Sequence, residues 1–316
     1  FLKKISTRSI WKLIFLTAVI LTFSYNAFSY DIFNYIFDAK IITHYQQNPY
    51  LHKALDFPQD PMLNFMQWTH RTYPYGPGWL FLTVPLAFIG SNIFIITFFL
   101  FKFLITGFYL GTAYLIQKII KEIRPEDGVA GLVFFALNPL VVIESLVSAH
   151  NDMPMIFFAM LGIYLAIKKK WFISFLTIGF SYLIKQVTIV IIFPLSLFLL
   201  SSIYPKIKLS TESFIKLCVF FLLLGFSYVL AKMEIQPWYF LWVLPFLALL
   251  KPSKIIYFLN GGITLGLLLR YAPFLYRGDW NGNVLLIKTY VTFVTPLIFL
   301  FIFLLFTYLK KTKKNT

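Results

Sequence analysis

Apolar residues run along this chain in long blocks separated by short polar breaks, from residue 11 almost to the end. Blocks able to span a bilayer read as 11–29, 92–119, 129–147, 152–168, 171–185, 187–203, 213–231, 238–250, 255–273 and 285–308. They predict about ten transmembrane helices, several of them short. The run from Trp79 to Gly90 is a dozen residues between Pro-rich and Gly-Ser-Asn breaks, so its length favours a dipping or surface helix over a crossing. The fold class expected is an all-α, polytopic transmembrane helical bundle of about ten spans. No polar stretch is long enough for a separate soluble domain, so residues 1–316 form one membrane domain with a long first loop at 30–91.

Composition agrees: 59% of residues are hydrophobic, 13% are charged and mean hydropathy is +0.78, against about a quarter charged in soluble domains. The 38 Phe are packing and lipid-facing material rather than a cofactor box. Cys218 is the single cysteine, so an intrachain disulfide is excluded. The chain opens on Phe1, and its first apolar run is too long for a signal peptide and lacks a small-residue cleavage site, which predicts an anchor helix.

The charges add sidedness. Of 28 Lys and Arg, 19 fall in alternate breaks: Lys3, Lys4, Arg8 and Lys12, then clusters within 118–127, 168–170, 204–216 and 251–254, then the tail. This is the pattern of cytoplasmic segments, and it places both termini in the cytoplasm. Reading 79–90 as a crossing would move the 168–170 cluster to the other side, against the bias. The net charge of +16 therefore reports topology and not nucleic-acid binding.

With that topology the chemistry gathers on the non-cytoplasmic face, in the loop 30–91, the junction Ser148-Ala149-His150-Asn151-Asp152, the turn Lys185-Gln186, the segment 232–239 and the loop 276–283. Asp31, Asn34, Tyr35 and Asp38 share one face at helical spacing, with Phe33 and Phe37 set for the interface, which predicts an amphipathic surface helix. An N-cap at Asp31 is the plain alternative. His150, Asn151 and Asp152 form a polar corner that could hold sugar hydroxyls or a phosphate, or could simply cap a helix. Lys185, Arg71, Arg270 and Arg277 are the cations at hand for a phosphate. Lys185 may equally be read as snorkelling, and Arg277 as an interfacial anchor beside Trp280. Gln236-Pro237-Trp238-Tyr239 fits either an interfacial aromatic belt or a sugar-stacking surface.

These residues carry a resemblance. Asp31-Ile-Phe-Asn-Tyr-Ile-Phe-Asp38, then Asn48-Pro49-Tyr50, then His70-Arg71-Thr72-Tyr73-Pro74-Tyr75-Gly76-Pro77 resembles polyprenol-phosphate-sugar-dependent mannosyltransferases of the GT-C superfamily in spacing and order. The likeness continues through Leu137-Asn138-Pro139-Leu140, Glu144, the 148–152 junction and the 236–239 segment, so it covers roughly residues 10–250. The chain departs at Tyr-Pro-Tyr-Gly-Pro, where the family has Tyr-Pro-Pro. The resemblance implies transfer of one hexose, mannose foremost, from a polyprenyl-phosphate donor to a glycan, glycolipid or surface-polymer acceptor outside the cytoplasm. It makes Asp31 the catalytic base, with Asp38 as second choice or positioner. Asn48, Tyr50, His70, Arg71, Tyr73, His150, Asn151, Asp152, Lys185, Gln236, Trp238, Tyr239 and Arg277 are then candidates for substrate binding. An inverting transfer needs a carboxylate in reach of the acceptor hydroxyl.

Four His without spaced ligands predict no zinc and no cofactor, while a divalent ion held by carboxylates such as Asp31 and Asp152 stays open. A phosphate-cradling glycine loop and an Asp-x-Asp motif are both missing, which argues against nucleotide-fuelled chemistry. A transporter or lipid-linked-sugar flippase is the competing class, and a glycan ligase or polymerase the related one. Polar residues on one surface and the lack of an internal repeat favour the enzyme over the transporter.

Overall fold

The computed structural model describes residues 6–204, 206–279 and 281–315, with side chains through 312. Lys3, Lys4 and Trp280, and the side chains of Lys313 and Lys314, lie outside the described residues. Among the described residues, fourteen α-helices and several short 3₁₀ or π turns carry the chain, and the only β pairing is the isolated bridge between Lys53 and Thr72.

Local chemistry sets the helix starts. Helix α1 (Thr7–Thr22) begins at Ser6, whose hydroxyl accepts from Ser9 N at 3.1 Å. Its outward face shows Leu13, Phe15, Leu16, Val19 and Ile20, the surface of a helix meant for lipid. Helix α2 (Asp31–Thr43) follows, then the long loop with two 3₁₀ turns, then α3 (Pro77–Ile89), which starts on proline. The 30-residue α4 (Phe94–Ile123) is the central post, packing against α1, α2, α3 and three later helices. Helix α5 (Gly128–Ala136) leads to α6 (Pro139–Val142), capped by Asn138 Oδ1 on Leu140 N at 2.9 Å. Gly131 is needed in α5 because a Cβ there would sit 2.7 Å from Ala248 O.

A helical hairpin, α7 (Asp152–Ile167) and α8 (Trp171–Ile184), packs on α4. Next come α9 (Ile192–Ile203), continuous with the 3₁₀ turn from Gln186, and α10 (Thr211–Lys232). The remaining helices are α11 (Leu244–Ala248), α12 (Lys254–Leu268), α13 (Ala272–Arg277) and α14 (Val284–Asn315).

Among the described residues, five helical stretches are long and apolar enough to cross a membrane: Phe94–Ile123, Gln186–Ile203, Thr211–Lys232, Lys254–Arg277 and Val284–Thr312. A sixth arises if Pro125–Ala136 and Pro139–Val147, bent by 55° at the Asn138 break, count as one. The chain is thus a polytopic helical membrane protein, with fewer full-length spans than the ten apolar blocks of the sequence. Helices α1, α7 and α8 run 16, 16 and 14 residues. The block 238–250 departs furthest from expectation. It is the 3₁₀ turn Pro237–Trp242 followed by the five-residue α11, with Phe240, Leu241, Trp242, Val243, Leu244 and Phe246 buried against other helices. Hydropathy cannot tell a lipid-facing helix from a buried irregular segment of equal apolarity.

Helix α2 forms where the spacing places it, but it is not an amphipathic surface helix. Every residue from Asp31 to Ala39 is buried, because the loop folds back over its polar face. Buried Asp60 closes that fold. Its carboxylate takes Lys40 at 2.5 Å, the Tyr45 hydroxyl at 2.7 Å and Met62 N at 2.9 Å. The loop thereby carries Trp68 and Arg71 above the first turn of α2.

Candidate functional site

Asp31 occupies the first turn of α2, but it caps nothing: the N-cap is Tyr30, and Asp31's own amide donates to Ser29 Oγ at 3.2 Å. Its carboxylate points sideways, accepting from Trp68 Nε1 at 3.2 Å and lying 3.5 Å from His150 Nδ1. The other face of that imidazole edge meets Glu144, with Nε2 to Oε2 at 3.1 Å. Both contacts are at ion-pair distance, with neither aligned as a hydrogen bond. Glu144 also accepts from the Tyr271 hydroxyl at 2.9 Å. Trp238 stacks on His150 with centroids 4.0 Å apart.

The backbone that delivers His150 is unusual. The helix opens into a π turn at Ile143–Val147, a geometry that concentrates at functional sites. Ala149 then adopts a left-handed φ of +55°, which a residue with a Cβ rarely takes. Widening the turn frees carbonyls in the interior, and Lys102 of α4, itself fully buried, donates to Leu146 O and to Val147 O, the latter at 3.0 Å. Asn26 donates to Ser148 O at 2.7 Å from the opposite side.

Asp152, one turn beyond, is buried and takes Lys185 Nζ on both oxygens at 2.8 Å and Trp242 Nε1 at 2.5 Å. Asn151 Oδ1 lies 3.3 Å from the same Lys185. Neither residue caps α7 with its side chain, so the capping alternative is not what occupies them. Nor does Lys185 snorkel to a headgroup: it bridges the α8 end to the α7 start, with its Nζ 5.6 Å from the Tyr75 ring centroid. Tyr75 is fixed by Gly76, whose amide donates to Ile184 O at 3.3 Å. A Cβ on Gly76 would fall 2.0 Å from Leu183 O, so packing against the end of α8 requires glycine at that position of the Tyr73-Pro-Tyr-Gly-Pro77 turn.

Electrostatics distinguish the two carboxylates of α2. Burial works to raise the Asp31 carboxyl, but His150, Arg71 and Lys185 together hold it below the usual range. Burial likewise opposes charge on His150, yet Asp31 and Glu144 raise it to about 9. Asp38 has no such company: burial pushes it up to about 8, Arg71 opposing and Asp31 adding. At neutral pH the cluster therefore contains ionised Asp31, protonated His150 and neutral Asp38. Asp31 and Asp152, the pair that could share a divalent ion, are each already engaged by a cation and an indole. Among the described residues no three His, Cys, Asp or Glu side chains converge as metal ligands.

Several candidates shape the loop instead of joining the cluster. Asn48 Oδ1 accepts from Tyr50 N at 3.0 Å, the Tyr50 hydroxyl donates to Tyr75 O at 3.2 Å, and the Tyr73 hydroxyl to Gly76 O at 2.9 Å. His70 sits at the edge of Trp68, 6.2 Å between centroids, while exposed Arg71 lies over the same indole at 4.6 Å. Tyr239 lies between Trp238, which it meets edge-on, and Trp242, and Gln236 caps their 3₁₀ turn without a side-chain bond. Arg277 ends α13 beside Gly282 and stands apart from the cluster. Sequence reasoning missed Trp68, Trp242 and Tyr271 as participants and quoted Glu144 without a role. The signal for Glu144 was present, since a carboxylate inside an apolar block is costly unless used.

The acid–base cluster is buried and flanked by indoles within a polytopic helical membrane protein. The model of the MptA_B family, described as alpha-(1->6)-mannopyranosyltransferase, N-terminal domain, matches residues 2–201, more than half of the chain, and the chain belongs to that family. It is a glycosyltransferase. The matched part contains Asp31, Glu144, His150, Asp152 and Lys185, whereas Trp238, Trp242 and Tyr271 lie beyond it. No curated protein and no solved structure matched the chain.

Proposed function

We propose that the protein moves one mannosyl residue from a polyprenyl-phosphate carrier to a hydroxyl of a glycan, glycolipid or surface polymer on the non-cytoplasmic side, with inversion at the anomeric carbon. The acceptor hydroxyl gives its proton to Asp31 as the acceptor oxygen bonds to C1. The bond from C1 to the phosphate oxygen breaks, and its electron pair stays on the phosphate. Asp31 suits the role because the buried carboxylate is held between Trp68 and His150, with Glu144 on the far side of the imidazole. Its lowered basicity fits a transition state in which C1 is already cationic and the hydroxyl proton is correspondingly acidic. Trp68, Trp238 and Tyr239 offer aromatic faces for the sugar.

The observation that carries this reading is the convergence of the Asp31–His150–Glu144 chain and the Asp152–Lys185 pair in a member of a mannosyltransferase family. The basic clusters of the sequence support the outer side for this face. The test supplies membranes containing the protein with radiolabelled polyprenyl-phosphate mannose or, separately, a nucleotide-linked mannose. Label should reach the acceptor fraction from the lipid donor alone. Transfer from the nucleotide sugar, or movement of labelled lipid between leaflets without transfer, would reject the reading.

A further inference from the structure

Next to this cluster lies a second group of charges, and its balance differs. Arg270, in the 3₁₀ turn Leu269–Tyr271 that ends α12, and Lys288, in the second turn of α14, are 5% and 6% exposed. Both reach the same oxygen of Glu234, Arg270 Nη2 at 3.0 Å and Lys288 Nζ at 2.5 Å. Arg270 Nη1 also donates to Thr292 Oγ1 at 2.9 Å and to Lys288 O at 3.3 Å, so the guanidinium is held in place by α14. Among the described residues Glu234 is the one carboxylate within ion-pair distance of either cation, and its side chain is 48% exposed. Two buried positive charges thus share one half-exposed acid.

In the cluster beside it, by contrast, each cation sits among carboxylates: His150 between Asp31 and Glu144, and Lys185 on Asp152. An incoming anion gains more where positive charge is in excess, and buried cations in a membrane protein are retained at a cost unless they have a partner to meet. Distance permits it: Tyr271, the residue after Arg270, donates to Glu144 of the cluster at 2.9 Å.

We propose that Arg270 and Lys288 form the receiving site for the carrier's phosphate group, and that Glu234 is the internal carboxylate the phosphate displaces. The inference rests on the polyprenyl-phosphate reading above. Before transfer the glycosyl phosphodiester carries one negative charge. Once the C1–O bond breaks, the monoester carries about −1.5 to −2 at pH 7. The two cations, released from Glu234, match the product and the charge building towards it better than the substrate. That difference lowers the barrier to leaving-group departure.

The test measures binding of radiolabelled polyprenyl monophosphate to the full chain in nanodiscs, with phosphatidylglycerol and inorganic phosphate as comparison ligands. Arg270→Gln and Lys288→Gln should each weaken carrier binding at least about tenfold, Arg270→Lys should keep part of it, and Glu234→Gln should tighten it several-fold. Arg270→Gln leaves Lys288 and Glu234 paired one to one, so the variant stays charge-balanced, and a thermal melt confirms its fold. Carrier binding by wild type that neither substitution alters would overturn the site while leaving the donor reading intact. Binding of phosphatidylglycerol through Arg270 with no affinity for the carrier would overturn both.

Discussion

The Asp152–Lys185 pair offers a quantitative check on the cluster. Asp152 is wholly buried and Lys185's side chain is 16% exposed, so removing the carboxylate leaves an ammonium partly buried without its counter-charge. Breaking such a pair from one side costs about 3–5 kcal/mol, and the residual exposure of Lys185 places Asp152→Asn near ~3 kcal/mol. Asn retains an acceptor for Trp242 Nε1, so that hydrogen bond weakens without vanishing. Lys185→Met should cost a similar amount, because Asp152 then keeps only Trp242 and its neighbours. The double substitution removes both charges and retains the volume. It should cost about 3 kcal/mol in place of the additive ~6, a coupling of about 3 kcal/mol. Cys218 supplies the readout, being the single cysteine and fully buried in α10, so a thiol-reactive fluorophore reports unfolding directly. At ~2–4 °C per kcal/mol, each single variant should melt about 6–12 °C below wild type, and the double variant no lower than about the same point instead of twice as far. Single effects that add within about 0.5 kcal/mol would refute the coupling, and with it the role of Lys185 as the partner that positions Asp152.

Other expectations come from neighbouring contacts. Lys102→Met strips the carbonyls of Leu146 and Val147 of their donor, at ~1–3 kcal/mol for each orphaned group, and should lower both the melting temperature and turnover; a melt and rate equal to wild type would show that the π turn holds itself. Gly76→Ala forces a Cβ into the end of α8 and should cut transfer more than it lowers the melt, since Tyr75 and Lys185 are what it displaces; unchanged kcat would contradict the placement. For pH, Asp38 binds its proton in the fold up to about 8 but releases it at the usual 3.8 when unfolded, so its contribution to stability declines as pH rises across that window. His150, raised from 6.5 to about 9, contributes fully below 6.5 and loses that contribution as pH rises through 9. Asp38→Asn should therefore flatten the stability profile between pH 4 and 8, which melts across that range would read; an unchanged slope would place the titration elsewhere.

Much of this was legible in the residues. Apolar blocks and few charges gave the helical membrane bundle, and the order of Asp31, Asn48-Pro-Tyr, His70-Arg71 and the 148–152 junction pointed to a mannosyltransferase. The burial of α2 was not legible, because the loop that covers it is held by Lys40, Tyr45 and Asp60, a long-range arrangement with no local periodicity. Trp242 and Tyr271 stayed hidden for a related reason. Each looks like one more aromatic in an apolar run, and only the fold brings their N–H and O–H to Asp152 and Glu144. The block 238–250 read as a span because hydropathy is blind to whether lipid or protein covers a segment.

The central claim is that Asp31 takes the acceptor's proton. Transfer of mannose from labelled polyprenyl-phosphate mannose should therefore be measured for wild type and Asp31→Asn in proteoliposomes, with melting curves for both. The account predicts that Asp31→Asn stays folded, with a lowered melt because His150 keeps only Glu144, still binds the carrier, and loses about 10²–10⁴-fold in kcat with little change in KM. Turnover within a few-fold of wild type by a folded Asp31→Asn protein would contradict it.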